Sequence, residues 1–269
     1  MVAARLTDYT QDESPHVIAM ITPSRAQAFS TCAYRFAHEK KTFDANRSLI
    51  MGQWIHEIIR ADNMARIGGQ EVSIEQLIVR NAPPGALVGS TDDEEWAVGV
   101  ATDSLRGYRA FLDAQGVETV LDAERYVRTP TRPVAGVPGC SIVLSGRFDA
   151  TAARQDRSIA CIDVKTGRIP AQAHLAEAPS TYIYHHLTQY AYDADRIDII
   201  QVNPLTGQWA GVRLTEGQIE AGKAFCRAMA AAIKDGLYAP NPGEYCAYCA
   251  LAPRCPAHQA RTPGWDTAF

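Results

Sequence analysis

Asp149, Asp163 and Lys165 are the residues whose types and spacing best suit chemistry on a charged substrate. Asp163 and Lys165 stand two apart in IACIDVK, a stretch that reads as a β-strand. Side chains at i and i+2 of a strand share a face, so the acid and the lysine project together. Asp149 closes GRFD on the preceding strand-like stretch, and a hairpin turn at 154–158 can bring it alongside. Two such carboxylates suit a hard divalent cation such as Mg²⁺. The cation would polarise a phosphoryl oxygen and acidify a water. The lysine would hold the attacking water or stabilise charge on the phosphate. Asp-x-Lys by itself also fits an ordinary cross-strand ion pair. The apolar neighbours of this pair argue for more, because charge on a buried strand is costly unless it is compensated.

Cysteines make a second set. Three of the seven, Cys246, Cys249 and Cys255, crowd the segment just before the C-terminus. In a chain whose polar N-terminus shows no secretory leader, such crowding reads as metal or cluster ligation rather than disulfide bonding. Three thiolates from one irregular loop leave a fourth ligand to be found, and Cys32 is the candidate. Cys₄ sites hold Zn²⁺ as well as iron–sulfur clusters, and spacing alone admits both. Cys140, Cys161 and Cys226 lie in apolar surroundings and read as packing residues.

Positioning these groups requires a sheet. A helix is expected over 24–40, entered through Thr22-Pro23, then a second at about 48–67 ended by Gly68-Gly69. A short helical stretch and a loop fill 70–95, and a helix fits 93–115, stopped by Gly116. Strands follow at 117–129, 140–153 and 158–166, rich in Val, Ile, Thr and aromatics. A helix at about 180–195, strands at 196–203 and 208–214 and a long helix over 215–236 complete the pattern. This order predicts an α/β fold with a mixed central sheet and helices on both faces. The organisation reads as a loose lead-in over 1–20, a helical segment over 21–118, a core over 119–237 and a Cys-rich tail over 238–269.

A hydrophobic fraction of 46% allows a substantial core, and no apolar run is long enough to span a bilayer, so a cytoplasmic location is expected. The formal net charge of −4 argues against a simple nucleic-acid coating protein. It leaves room for a local basic field, since residues 21–70 hold seven Lys and Arg against four acids. Residues 71–125 reverse that balance, with eleven acids against four Arg. Solvated helix faces would give the same unevenness.

GRFD followed by IDVKTG resembles the PD-(D/E)XK nuclease superfamily, and more closely its RecB-like exonuclease branch. The resemblance implies a restriction-endonuclease-like core and an Mg²⁺- or Mn²⁺-dependent DNA exonuclease. It implies that His56, four residues after Gly52 in GQWIH, is a metal ligand with Asp149, Asp163 and the Val164 carbonyl. Glu124 would be an outer carboxylate. The branch carries Gln and then Tyr four residues on in the helix after the lysine strand. Tyr190 fits that tyrosine, but His186 stands where the glutamine belongs and Gln189 sits just before the tyrosine. Iron–sulfur members of the branch, such as AddB and the CRISPR-associated RecB-like exonucleases, have one cysteine before the core and three after it. Cys32, Cys246, Cys249 and Cys255 match that layout, which implies a 4Fe–4S cluster stapling the chain ends. Ala33 and Ala250 replace prolines usual there. Basic residues Arg25, Arg35, Lys40 and Lys41 would hold phosphates of single-stranded DNA or DNA ends. The absence of a G-x-x-x-x-G-K-[ST] loop implies a free-standing nuclease of CRISPR-adaptation or phage-recombination type rather than one fused to a motor. Two other readings stay open: a non-catalytic DNA-end-binding adaptor of the same fold, and a zinc-stapled protein of unrelated function.

Overall fold

A computed structural model of the chain describes residues 16–39, 47–82 and 91–259. Its strands are β1 (Val17–Ile21), β2 (Val117–Arg128), β3 (Arg132–Pro133), β4 (Cys140–Arg154), β5 (Ile159–Val164), β6 (Ile197–Asn203) and β7 (Gln208–Val212). They form one mixed sheet in the order β1-β4-β5-β6-β7, with β2 and β3 also pairing with β4. The pairs β1/β4 and β5/β6 are parallel, while β2/β4, β3/β4, β4/β5 and β6/β7 are antiparallel. The helices are α1 (Pro23–Thr31), α2 (Ala33–His38), α3 (Arg47–Ile67), α4 (Ile74–Arg80), α5 (Thr91–Ala114), α6 (Gln172–Glu177), α7 (Pro179–Tyr192), α8 (Glu216–Asp235) and α9 (Pro256–Gln259). The sheet and its flanking helices have the mixed α/β architecture expected of a restriction-endonuclease-like core.

Two cores sandwich the sheet. On one face Trp54, Ile55, Ile58 and Ile59 of α3 and Leu105, Tyr108 and Leu112 of α5 bury Ile162 and Val164. On the other, Ile183 and Leu187 of α7 and Cys226 and Met229 of α8 bury Phe148, Cys161 and Ile199. The α7/α8 contact is close enough that a Cβ on Gly222 would stand 2.2 Å from Tyr182 Cγ, so glycine is required there. A capping box between Thr215 and Gln218 starts α8, and Gly236, with φ of 65°, ends it in the left-handed conformation that glycine adopts without strain.

Long β4 does not keep one phase. Leu144 and Phe148 pack on the α7 side, whereas Ala150 and Ala152 pack on the α3/α5 side. All four have the same parity, so a regular strand would put them on one face. The strand changes faces at Asp149. Opposite it on β2, Glu124 takes a φ of 53°, and the β2/β4 register slips further along between Val120 and Asp122. Irregularities of this kind re-aim side chains beside functional sites.

The lead-in expected over 1–20 is corrected at its end: Val17–Ile21 is a strand, paired in parallel with Cys140–Leu144. Five residues were too short a run to signal this in isolation. The single helix expected over 24–40 is also corrected. Cys32 is extended, with φ of −163° and ψ of 111°, and splits it into α1 and α2. The break turns the cysteine toward the tail. There Tyr34 donates to the Arg254 carbonyl at 3.1 Å and Asn241 donates its side-chain N–H to the Thr31 carbonyl at 3.1 Å.

Candidate active site

β4 and β5 are paired from Ala153↔Ile159 to Ala150↔Ile162, and the pairing stops there. Beyond it the strands part, and the next residue on each is Asp149 and Asp163. The Val164 N–H at the start of the fork donates to Asp149 Oδ2 at 2.7 Å. A carboxylate thus replaces a missing ladder partner and is itself fixed by backbone. The Val164 carbonyl, which the resemblance assigns to the metal, sits in the same residue whose N–H fixes Asp149.

Asp163 is buried, and Lys165, Gln201 and Tyr184 hold it. Lys165 Nζ lies 2.9 Å from Oδ1 and 2.8 Å from Oδ2, Gln201 Nε2 donates to Oδ2 at 2.9 Å, and the Tyr184 hydroxyl donates to Oδ1 at 3.3 Å. Gln201 is the residue opposite Asp163 in the parallel β5/β6 register. Burial raises the Asp163 pKa, the Asp149 charge adds to the rise, and Lys165 opposes both.

On the α3 side, His56, Glu124 and Asp149 each present a ligand atom, all within 4.8 Å of one another. His56 Nδ1 is 3.5 Å from Asp149 Oδ1. Burial is the largest influence on His56 and disfavours its cation, yet the hydrogen bond and charge of Asp149, helped by Glu124, outweigh it and raise the pKa. Glu124 is pushed up by burial and then by the Asp149 charge, against Arg147, whose Nη1 lies 3.5 Å from Oε2. Crowded carboxylates whose ionisation is opposed by burial and by one another form a site that a cation would relieve. One histidine nitrogen and carboxylate oxygens are a donor set suited to Mg²⁺ or Mn²⁺.

The site lies between two openings. A groove of about 1080 Å³ on the α7 side contains Asp163, Lys165, Tyr184 and Gln201 and extends past Arg25 to Arg35. A cleft of about 580 Å³ on the α3 side contains His56 and Glu124, with Arg60 and Arg147 on its walls. Arg25 lies over the Phe36 ring, 4.9 Å from its centroid, and Arg35 is paired with Glu39 at 2.9 Å. Lys40 and Lys41 lie outside the described residues.

The structure therefore brings together His56, Glu124, Asp149, Asp163, Val164 and Lys165. It does not bring Tyr190 to Asp163: Tyr190 is 52% exposed, and Gln189 is exposed beside it. His186 stacks on Tyr182, with ring centroids 6.0 Å apart. Burial lowers the His186 pKa, helped by the charges of Arg132 and Lys223. The α7 tyrosine that reaches Asp163 is Tyr184, two residues before His186. Sequence reasoning also missed Gln201, although it is a polar residue in the middle of the apolar strand IDIIQVN.

The four cysteines form a separate site. Cys32, Cys246, Cys249 and Cys255 line one cavity, together with Tyr245 and Arg35. The Asn241 backbone N–H points at Cys32 Sγ at 3.4 Å and that of Gly243 at Cys246 Sγ at 3.3 Å. The Tyr245 hydroxyl lies against the carbonyls of Thr31 and Asn241, where its one proton can go to either, tying this loop to α1. None of the four forms a disulfide, nor do the buried Cys140, Cys161 and Cys226.

A forked antiparallel pair with two acids and a lysine at the fork, in a mixed sheet between helical layers, is the arrangement of a restriction-endonuclease-like nuclease core. The family model described as the PD-(D/E)XK nuclease superfamily matches residues 20–256, and the chain belongs to that superfamily. Among solved structures it is similar to the crystal structure of SSO0001, at 14% identity over 89% of this chain and 98% of that one, with a TM-score of 0.34. No curated protein matches the chain. Among the described residues, no helix is long and apolar enough to cross a membrane.

Proposed function

We propose that the chain is an Mg²⁺- or Mn²⁺-dependent deoxyribonuclease that trims single-stranded DNA or DNA ends. The observation that carries this reading is the convergence of His56, Glu124 and Asp149 beside the Asp163–Lys165 pair at the fork. A divalent ion held by His56, Asp149 and Asp163, with Glu124 beside them, would supply Lewis-acid charge to the phosphate and acidify the water that attacks it. Lys165, 43% exposed and anchored to both Asp163 oxygens, positions that water and meets the charge that develops on phosphorus-bound oxygen. Gln201 and Tyr184 fix the carboxylate of Asp163 and through it the lysine. Tyr184 takes the bracing role that the resemblance gives to Tyr190, and Tyr190 and Gln189 are left free to meet the DNA backbone. Arg25 and Arg35 in the groove, and Arg60 and Arg147 in the cleft, suit a phosphate backbone that passes the fork from one opening to the other. Lys40 and Lys41 would add to the groove side.

The cysteine cavity supports a 4Fe–4S cluster held by Cys32, Cys246, Cys249 and Cys255. Thiolate ligands accepting backbone N–H bonds are the donor chemistry that such clusters use. Its role in this reading is to hold the chain ends together. The purified protein should be brown and absorb near ~400 nm; a colourless zinc protein would overturn this part alone. The nuclease reading is tested by incubating end-labelled single-stranded and duplex DNA with Mn²⁺ and either the wild-type protein or Lys165→Ala. Equal cutting by both proteins would sink the catalytic assignment, and cutting by neither would favour an adaptor of the same fold. A place among CRISPR-adaptation or phage-recombination proteins fits an end-trimming enzyme.

A further inference from the structure

We infer that a pocket beside the cleft receives a nucleobase of the bound strand, so that the enzyme grips a base as well as the backbone. This rests on the reading of the chain as a DNA nuclease. The pocket, of about 210 Å³, is continuous with the cleft that holds His56 and Glu124, because Ser48, Gly52 and Thr166 line both. Thr166 directly follows Lys165, and Gly52 admits it closely: a Cβ there would stand 3.2 Å from Thr166 Oγ1. A nucleotide whose phosphate occupies the cleft thus has a neighbouring recess for a base.

The lining suits a flat aromatic ligand with a polar edge. Met51, Ile55, Val100 and Leu205 supply apolar wall. Trp96 is 49% exposed, and the Arg47 guanidinium lies over its ring, 4.3 Å from the centroid. Indole faces and guanidinium planes are the surfaces on which bases stack. Arg47 is held from its other side by Asp93 at 2.7 Å. Ser104 supplies the polar element. It is fully buried on α5, it lines the pocket, and its hydroxyl has no hydrogen-bond partner. A serine in a helix can satisfy itself on a carbonyl one turn back, so a buried hydroxyl left unpaired beside a pocket is a polar group that a ligand edge entering the pocket would satisfy. A hydroxyl both donates and accepts, so it would take any base edge without choosing among the four.

The test reads binding and cutting separately. Anisotropy of a short labelled single strand is measured without metal, using an intact oligonucleotide and one whose central nucleotides are abasic. The wild-type protein should prefer the intact strand by about tenfold, the weight of one stacked base. Trp96→Ala should lose that preference and bind both strands as the wild type binds the abasic one. Ser104→Ala, which leaves the pocket open and removes only an unpaired hydroxyl, should weaken intact-strand binding several-fold while keeping or raising Tm. Equal binding of intact and abasic strands by the wild type, no binding of either, or a preference that survives Trp96→Ala would each overturn the pocket. Failure of the wild type to cut with Mn²⁺ would instead overturn the nuclease reading and leave the base preference to be judged on its own.

Discussion

The fork and the cysteine cavity are both candidate metal sites, and they are built in opposite ways. The fork's groups stand on β2, β4 and β5 and on the long helix α3, and Asp163 accepts bonds from Lys165 just past β5, Tyr184 of α7 and Gln201 of β6. The cysteines stand on a one-residue break between α1 and α2 and on short 3-10 turns at 244–248 and 252–254. Rigid supports position the fork's side chains, even though burial opposes the ionisation of Asp163 and Glu124 there. The cysteine loop has little regular structure of its own and is tied to α1 and α2 by a few hydrogen bonds, so in the cluster reading a shared group would add to its order. A site that the fold holds against its own electrostatics is suited to do chemistry. A site that holds the fold is suited to stability.

The largest test of that contrast is Lys165→Ala. Cutting should fall on the order of a hundredfold to a thousandfold while Tm stays within a few degrees, read by a labelled-end assay and a thermal melt. Next is Cys255→Ser. In the crosslink picture, releasing a tie between residue 32 and the tail costs about 4 kcal/mol, or on the order of 10 °C in Tm for a chain of this size. The absorbance near ~400 nm should go with it. A Cys255→Ser protein that keeps its Tm but loses cutting would break the comparison, because the cysteines would then act on the chemistry. Third, saturating Mn²⁺ should raise Tm by about 6 °C, and Asp149→Ala should abolish the shift without altering the cysteine absorbance. An undiminished shift in that variant would move the ion away from the fork. The smallest effect belongs to Tyr184→Phe, which removes one hydrogen bond to Asp163 and should slow cutting by no more than about tenfold. Tyr190→Phe should leave the rate unchanged; a larger loss there than in Tyr184→Phe would restore Tyr190 as the bracing residue.

Much of the fork was legible in the sequence because two β-rich runs flank the turn at 154–158, which predicts a hairpin, and because the resemblance gives its acids and lysine their roles. Asp149, Asp163 and Lys165 follow from that geometry. Their partners did not. α7 contacts α1, α8, β4 and β6, so apolar residues ring it and no single stripe says which tyrosine faces the sheet. Tyr182, Tyr184, Tyr190 and Tyr192 are all candidates by type, and only the packed helix selects Tyr184 for Asp163, while Tyr192 goes to Asp122 and Thr151. Gln201 depends on a parallel register between positions 38 apart in the chain. The break at Cys32 was hidden because its neighbours, STCAYRF, suit a helix, and what ends the helix is a tertiary demand from the far end of the chain.

The change of face at Asp149 bears on how this protein can vary over time. Residues before it are in step with the α7 core and residues after it with the α3/α5 core. An insertion or deletion of one residue within β4 would reverse inside and outside for one of these halves and leave the other untouched. The acid is thus held by two independent reading frames, and it cannot migrate along the strand without turning one core inside out. Substitutions can accumulate in either layer, but the address of the carboxylate is inherited as a fixed boundary between them.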